Sequence, residues 1–228
     1  MLYIVSSPIG NLDDLSLRQA STLLSSEIIL AEDTRSAKIL LDGAKARFPQ
    51  LTINNQQLII SYYKEREFEK LPEIIDWLNE GKNIALVSES GTPLISDPGY
   101  LLVKTVIKKG LPFVVIPGPS AVTTSLIYSG GNPQGFSFFG FFPKKVSEKN
   151  KLLSKLRSLK DIFPEMSFIF YESPNRINET LQCFKTLKWE PEIVVCREMT
   201  KKYEEILRGQ PDDLIDHKFK GEVTILIK

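Results

Sequence analysis

Histidine is almost missing from this chain: His217 is the only one, and Cys183 and Cys196 are the only cysteines. Structural zinc takes about four Cys and His ligands, so a zinc module is excluded. Two cysteines in a chain without an export signal imply a reduced, cytoplasmic setting. Net charge is missing too. Twenty-nine basic residues against twenty-eight acidic ones leave +1, so any contact with nucleic acid must come from a local patch. No apolar run approaches the roughly 20 residues that span a bilayer, and the opening "MLYIVSS" lacks the basic start and apolar core of a secretory signal. Neither a membrane nor a metal is expected. Two phosphate-binding fingerprints are missing as well: "SSPIGN" (6–11) holds a single glycine where GxGxxG needs three, and no GxxxxGK[ST] occurs. Nicotinamide enzymes and nucleotide triphosphatases are disfavoured.

What the chain does have is a recurring apolar, β-branched run. The first half offers "LYIVSS" (2–7), "EIILAED" (27–33), "LIISYY" (58–63), "NIALVSES" (83–90) and "PFVVIPG" (112–118), with helical stretches such as "LSLRQASTLLSS" (15–26) and "PGYLLVKTVIKKG" (98–110) between them. Continuous apolar runs separated by helices indicate parallel strands buried on both faces. The second of these helices is expected to start at Asp97-Pro98, with an acidic cap and proline at the first helical position, and to end at Gly110. In the second half, "FSFFGF" (136–141), "SFIFYES" (167–173), "EIVVCRE" (192–198), "YEEILRG" (203–209) and "EVTILIK" (222–228) read as strands. The last three are separated by few residues, which implies antiparallel pairing. Glycine and proline cluster over residues 117–135, placing a boundary there. The expected architecture is two α/β lobes, 1–117 and 118–228, the first a mainly parallel sheet, the second mixed, with a cleft between them.

Ligands of open parallel sheets bind outside the carboxyl ends of the strands. "SSPIGN", "LVSESGTPLISDPGY" (86–100) and "PGPSA" (117–121) all follow strands. Glycine in such loops lets the backbone approach a ligand closely.

These residues carry a resemblance. "LYIVSSPIGNLDDLSLR", "AEDTR", "LVSESGTPLISDPGY" and "IPGPSA" are similar to the N-terminal lobe of the tetrapyrrole methylase superfamily, within it the ribosomal small-subunit methyltransferase I branch. "GFFPKK", "IFYESPNR", "REMTKKYEE", "RG" and "GEV" continue the likeness in order over nearly the whole chain. The resemblance implies two α/β lobes holding S-adenosylmethionine, usually in a homodimer, and 2′-O-methylation of a cytidine ribose in the decoding centre of 16S rRNA in the small ribosomal subunit. It also implies a cofactor site lined by Pro8, Ser88, Gly91, Thr92, Ile95, Ser120 and Ala121. In the second lobe Tyr171, Glu172, Ser173, Arg197, Glu198, Gly221 and Glu222 would close over it. The chain departs from the branch in having Tyr63 or Lys64, Asn175 and Tyr203 where histidine is frequent, and "SESG" for "SDAG". It also stops at Lys228, where relatives usually continue in a small helical segment. Loss of that segment would weaken or redirect RNA binding.

Methyl transfer to a hydroxyl needs alignment and a group to take the proton. His217 matches no motif, so the base is a carboxylate, a lysine with depressed pKa, or water. Glu198 and Lys201 are expected nearest the reacting hydroxyl. Glu32 or Asp33 has either a functional or a helix-capping role, and Arg35, Arg176 and Arg197 would meet phosphate or the cofactor carboxylate. Salt bridges are the plainer alternative for these charges. Arg176 stands in a first helical turn, where a cation is unfavourable unless an anion such as phosphate holds it. Seven basic residues and one acidic one over 144–160 offer an RNA-tracking helix. Phe138, Phe139, Phe141 and Phe142 are expected in the core, and Cys196 as inert core. Two other readings fit the same residues: a methylase of a corrin or porphyrin precursor, and a non-catalytic S-adenosylmethionine binder.

Overall fold

The apolar runs form ten strands, with eight α-helices and two short 3-10 turns among them. The computed structural model describes every residue, Met1–Lys228. The chain divides into two compact units, Met1–Ser120 and Ala121–Lys228.

The first unit alternates β1 (Leu2–Val5), α1 (Leu17–Ser25), β2 (Ile28–Ala31), α2 (Thr34–Arg47), β3 (Leu58–Ser61), α3 (Glu67–Asn79), β4 (Ile84–Val87), α4 (Tyr100–Lys108) and β5 (Phe113–Ile116). All strand pairs are parallel, in the order β3-β2-β4-β1-β5. Alternate side chains of each strand enter opposite layers. Val5, Ile29, Ala31, Ala85 and Val87 meet Leu23, Leu24 and Leu41 of α1 and α2. Leu2, Ile4, Ile28, Leu30, Ile84 and Leu86 meet Ile74, Ile75, Leu102 and Val106 of α3 and α4. Both faces are covered, which explains runs that do not alternate with polar residues. Connections from β1 and β2 run towards one edge of the sheet and those from β3 and β4 towards the other. The direction reverses between β2 and β4, the topological switch point of such a sheet.

One boundary differs from the sequence expectation. α4 begins at Tyr100 with Gly99 as its N-cap at φ 122°, not at Asp97-Pro98. A carboxylate from elsewhere, Glu67 on α3, accepts the Gly99 N–H. A Cβ at Gly99 would strike Leu86 and Leu94, so only glycine fits there.

The second unit comprises α5 (Ala121–Ser129), β6 (Phe136–Phe141), α6 (Val146–Ile162), β7 (Ser167–Glu172), α7 (Ile177–Phe184), β8 (Ile193–Arg197), β9 (Glu205–Gly209), α8 (Pro211–Leu214) and β10 (Val223–Ile227). Its sheet order is β6-β7-β10-β8-β9. β6 and β7 are parallel, and the other neighbours are antiparallel. The core is aromatic: the Phe142 ring meets Phe170 at 5.6 Å and Phe184 at 5.2 Å, both edge-on, the favoured geometry for ring quadrupoles. Phe139 packs against this core. Phe141 does not. It lies on an edge strand and is 57% exposed, contrary to the expectation that it is core. No helix is long and apolar enough to cross a membrane.

Candidate active site

In the first unit the loops that leave β1, β4 and β5 are joined at the carboxyl end of the sheet. The Ser7 N–H donates to Gly91 O at 2.8 Å, and the Ser7 hydroxyl donates to Ser88 O at 3.0 Å. The Ser88 hydroxyl donates to Gly91 O at 2.9 Å. Ser6 and Thr92 hydroxyls meet at 3.2 Å, and Thr92 also reaches Pro119 O at 3.5 Å. Short polar side chains thus satisfy the backbone of a loop that no helix or ladder pairs. Behind them, Gln19 closes a capping box with Ser16 and donates its amide to Ser6 O at 2.8 Å. Gly118 is needed for space: a Cβ there would collide with Gln19 and Ser6. The structure therefore brings Ser88, Gly91 and Thr92 together beside Pro8 and the Pro119–Ser120 step. Ile95 stands at the outer part of the same loop, 40% exposed, between Leu94 and Ser96. Those two neighbours adopt left-handed backbone, φ 71° and 72°, which side-chain-bearing residues avoid unless the surroundings impose it.

The switch point itself is a crevice lined by Ala31, Asp33, Ser36, Ala37, Leu40, Val87, Ser88 and Glu89. Asp33 caps α2 by accepting the Arg35 N–H at 2.7 Å. The same carboxylate pairs with the Arg35 guanidinium at 2.7 Å. The hydrogen bonds from Arg35 hold Asp33 at about 2, well below the usual carboxylate range. Asp33 thus takes the capping role, and Arg35 has an internal anion.

In the second unit the expected residues gather at one end of the sheet. Val223 lies opposite Glu172 of β7 and Arg197 of β8, so Ser173, Glu198 and Gly221–Glu222 all leave the same edge. Glu198 Oε1 accepts the Glu222 N–H at 2.8 Å and Lys201 Nζ at 3.1 Å. Lys201 Nζ also donates to Glu222 Oε2 at 2.8 Å. Burial works against the charged form of Lys201, but the bonds to Glu222 and Glu198 outweigh it and its pKa is raised. Burial likewise opposes ionisation of Glu198, yet the Glu222 N–H and Lys201 outweigh it and its pKa is lowered. Both groups are charged at neutral pH, so of the three bases open from the sequence Lys201 does not supply a lysine of depressed pKa. Gly221, at φ 80°, makes this cluster possible, because a Cβ there would collide with the Glu198 carboxylate.

The other arginines also have internal carboxylates. Arg176 is the N-cap of α7 and bonds Glu172, whose side chain is fully buried, as well as Phe142 O at 3.1 Å. Thr180 Oγ1 at 2.6 Å and the Ser173 N–H at 2.7 Å complete the Glu172 shell. The anion expected beside Arg176 is thus Glu172, not phosphate, and the two neutralise each other where neither could be buried alone. Arg197 donates to Glu205 at 2.9 Å and to Lys220 O at 3.3 Å, clamping the segment before Gly221. His217 joins Glu205 Oε2 at 3.2 Å and packs beside Phe219. Tyr171 contacts Phe138 and Phe141 edge-on. Ala121 opens α5. On α6, Lys149 is buried against Glu179, and Arg157 and Lys160 donate to Thr186 O and Met166 O. Lys144, Lys145, Lys151 and Lys155 are exposed. Cys196 is fully buried, which pushes its thiol up to about 12 and makes it inert.

Residues 1–215 match the family described as Tetrapyrrole (Corrin/Porphyrin) Methylases. The chain belongs to this family. Among curated proteins it is 39% identical to the ribosomal RNA small subunit methyltransferase I of Bacillus subtilis, over 100% of this chain and 75% of that protein. The Thermotoga maritima protein of the same name is 37% identical, over 99% of this chain and 97% of that one. Proteins of this name therefore include one with no sizeable extension beyond the matched region and one with such an extension. The fold is that of the solved methyltransferase CobJ, with a TM-score of 0.70 at 14% identity over 99% of this chain and 92% of that one. It is also that of a uroporphyrin-III-C-methyltransferase from Thermus thermophilus, with a TM-score of 0.63 at 14% identity over 99% and 93%.

Sequence reasoning missed three residues that shape these two clusters. Gln19 and Ser7 fasten the loops of the first unit, and Thr200 carries unusual backbone in the second. A signal for Thr200 was present: "EMTKKYE" joins two strands without Gly, Asn or Asp, so ordinary residues must make the turn.

Proposed function

We propose that this protein is an S-adenosylmethionine-dependent methyltransferase that modifies the ribose 2′-oxygen of a decoding-centre cytidine in 16S rRNA. The observation that carries the reading is likeness over the whole chain to proteins named for methylation of small-subunit rRNA, one of them matched over 97% of its length. The solved porphyrin and corrin methylases are only 14–16% identical to this chain and share its fold.

The residues present fit the cofactor. An adenosine needs apolar surface beside backbone donors and acceptors. Ile95, turned outward by its left-handed neighbours, supplies the first, and the Ser88–Thr92 loop the second. When bound, S-adenosylmethionine supplies a methyl group on a cationic sulfur. Pro8, Ser120, Ala121, Tyr171 and Ser173 are proposed to complete its surroundings, with Glu172 and Arg197 holding their neighbours in place. The cluster of Glu198, Lys201 and Glu222 has a net charge of about −1, which favours a cation nearby. Glu198 is proposed to orient the ribose hydroxyl and take its proton, and Lys201 to fix Glu198. Asp33 acts through the helix it caps, Arg35 by holding Asp33, and Arg176 by holding Glu172. The outward lysines of α6 are proposed to meet RNA phosphates, and the molecule to work as a cytoplasmic homodimer.

The test is a map of 16S ribose methylation in a strain lacking the gene, by primer extension. One decoding-centre cytidine should lose its 2′-O-methyl group and regain it on complementation. An unchanged map refutes the substrate. Calorimetric titration with S-adenosylmethionine separately tests the cofactor.

A further inference from the structure

Four residues other than glycine have positive φ in this chain: Leu94, Ser96, Glu198 and Thr200. The first pair flanks Ile95 in the β4–α4 loop. The second pair lies in the seven-residue connection between β8 and β9, with Glu198 at φ 50° and Thr200 at φ 67°. Thr200 is the less expected of these two, because a β-branched side chain crowds its own backbone in the left-handed region. A second feature of the same residue is also unfavourable: Thr200 Oγ1 is buried and has no hydrogen-bond partner. Buried hydroxyls without partners are rare in native structures.

A hairpin connection of this length does not require a β-branched residue at such a position, since glycine or asparagine would make the same turn without strain. Strain of this kind persists where neighbouring structure over-determines it. Here Glu204 does so. Its Oε2 accepts the Thr200 N–H at 2.6 Å, and its Oε1 accepts the Tyr128 hydroxyl at 2.9 Å. Arg208 in turn donates to Tyr128 O at 2.5 Å. The Lys201 N–H returns to Glu198 O at 3.0 Å and the Glu204 N–H to Lys201 O at 3.1 Å, while Met199 is buried below. A chain of bonds thus runs from α5 through Glu204 into the turn that bears Glu198 and Lys201.

We infer that Thr200 and its clamp Glu204 are positioning residues, holding Glu198 and Lys201 in the orientation that methyl transfer needs. The inference rests on the proposed function for the identity of the reaction, but the clamp is a property of the free protein. Glu204 need touch neither cofactor nor RNA to act. Loosening it lets Thr200 relax to negative φ and swings Glu198 and Lys201 with it.

The test compares wild type, Glu204→Ala, Glu204→Gln and Thr200→Gly, first by amide exchange and thermal melting without ligand. Methyl transfer from S-adenosylmethionine to small ribosomal subunits follows. In Glu204→Ala the Thr200 and Lys201 amides should exchange at least about tenfold faster, as expected of a locally released segment. Its kcat should fall about 100-fold, the effect of displacing a reacting group by about 1 Å, with KM for S-adenosylmethionine changed less than about threefold, because uniform binding is untouched. Glu204→Gln keeps an acceptor for the Thr200 N–H and should restore most of kcat. Thr200→Gly keeps the N–H that Glu204 holds and adopts the same backbone without strain, so it should melt no lower than wild type and keep most of kcat. The inference is overturned if Glu204→Ala keeps wild-type exchange and kcat. It is equally overturned if kcat falls only in step with Tm and Gln does not rescue it. If wild type transfers no methyl group, the proposed function falls, and the exchange rates still decide whether Glu204 clamps the turn.

Discussion

Replacing Gly221 by alanine isolates the contact on which the Glu198 cluster depends. Gly221 has φ 80°, and its new Cβ would collide with Cγ, Cδ and Oε1 of Glu198. Gly110 has φ 66° with nothing within 4 Å of its own added Cβ, which makes it the matched control. Gly110→Ala should cost only the left-handed penalty, about 1–2 kcal/mol. Gly221→Ala adds the displacement of Glu198 from the Glu222 N–H and Lys201 Nζ. Charge-assisted bonds of this kind contribute about 1.5–3 kcal/mol when buried. The Lys201 and Glu198 side chains are 28% and 19% exposed, so screening reduces the added loss to roughly 1–2 kcal/mol. The total is about 2–4 kcal/mol. For a chain of this size each kcal/mol moves Tm by roughly 2–4 °C, so calorimetry at pH 7 should separate the two variants by several degrees. In a Glu198→Ala background the collision disappears, and Gly221→Ala should then cost no more than Gly110→Ala, a coupling that a double-mutant cycle reads directly. Equal melting temperatures for Gly221→Ala and Gly110→Ala in the wild-type background would refute the argument.

Other outcomes follow from the same structure. Glu172→Gln leaves Arg176 without its buried anion and should cost about 3–5 kcal/mol, far more than Thr180→Val; urea melts of equal midpoint would contradict this. Glu198 and Glu205 both have lowered pKa values, with burial opposing the shift and hydrogen bonds from Glu222, Lys201, Arg197 and His217 outweighing it. A depressed pKa contributes stability above the unfolded-state value, about 4.3, that is lost as pH falls through the folded value. Tm should therefore decline below about pH 4.5, less steeply in Glu198→Gln, and a rise over pH 5 to 3 would reverse the sign worked out here. Cys196, held up to about 12 by burial, should resist iodoacetamide at pH 8 in the native protein; labelling within minutes without denaturant would show the strand to be open.

The strands were legible because both faces of the first sheet are covered, and every buried residue of β2 and β4 is aliphatic. A cap formed within four residues was legible too, as at Asp33. Contacts arriving from other elements were not. Asp97-Pro98 has the local signature of a helix start, yet the N–H group at the true start is met by Glu67, far away in sequence. Arg176 suggested an external phosphate although its partner Glu172 stands only four residues earlier, because the pair spans the end of a strand and the start of a helix. Lys149 counted as part of a basic face until α7 supplied Glu179. Charge in a sequence says that a partner is needed, but the tertiary fold chooses which.

β10 has a consequence for how the second unit comes into being. It lies in the middle of its sheet, bonded on one side to β7 and on the other to β8, although it is made after every other strand. During translation the earlier strands must wait with a gap at their centre. The pairs β6–β7 and β8–β9 can each zip up as they emerge, but only the arrival of Val223–Ile227 joins them into one cooperative layer. A ribosome stalled a few codons before that segment would leave two half-sheets, each presenting an open edge.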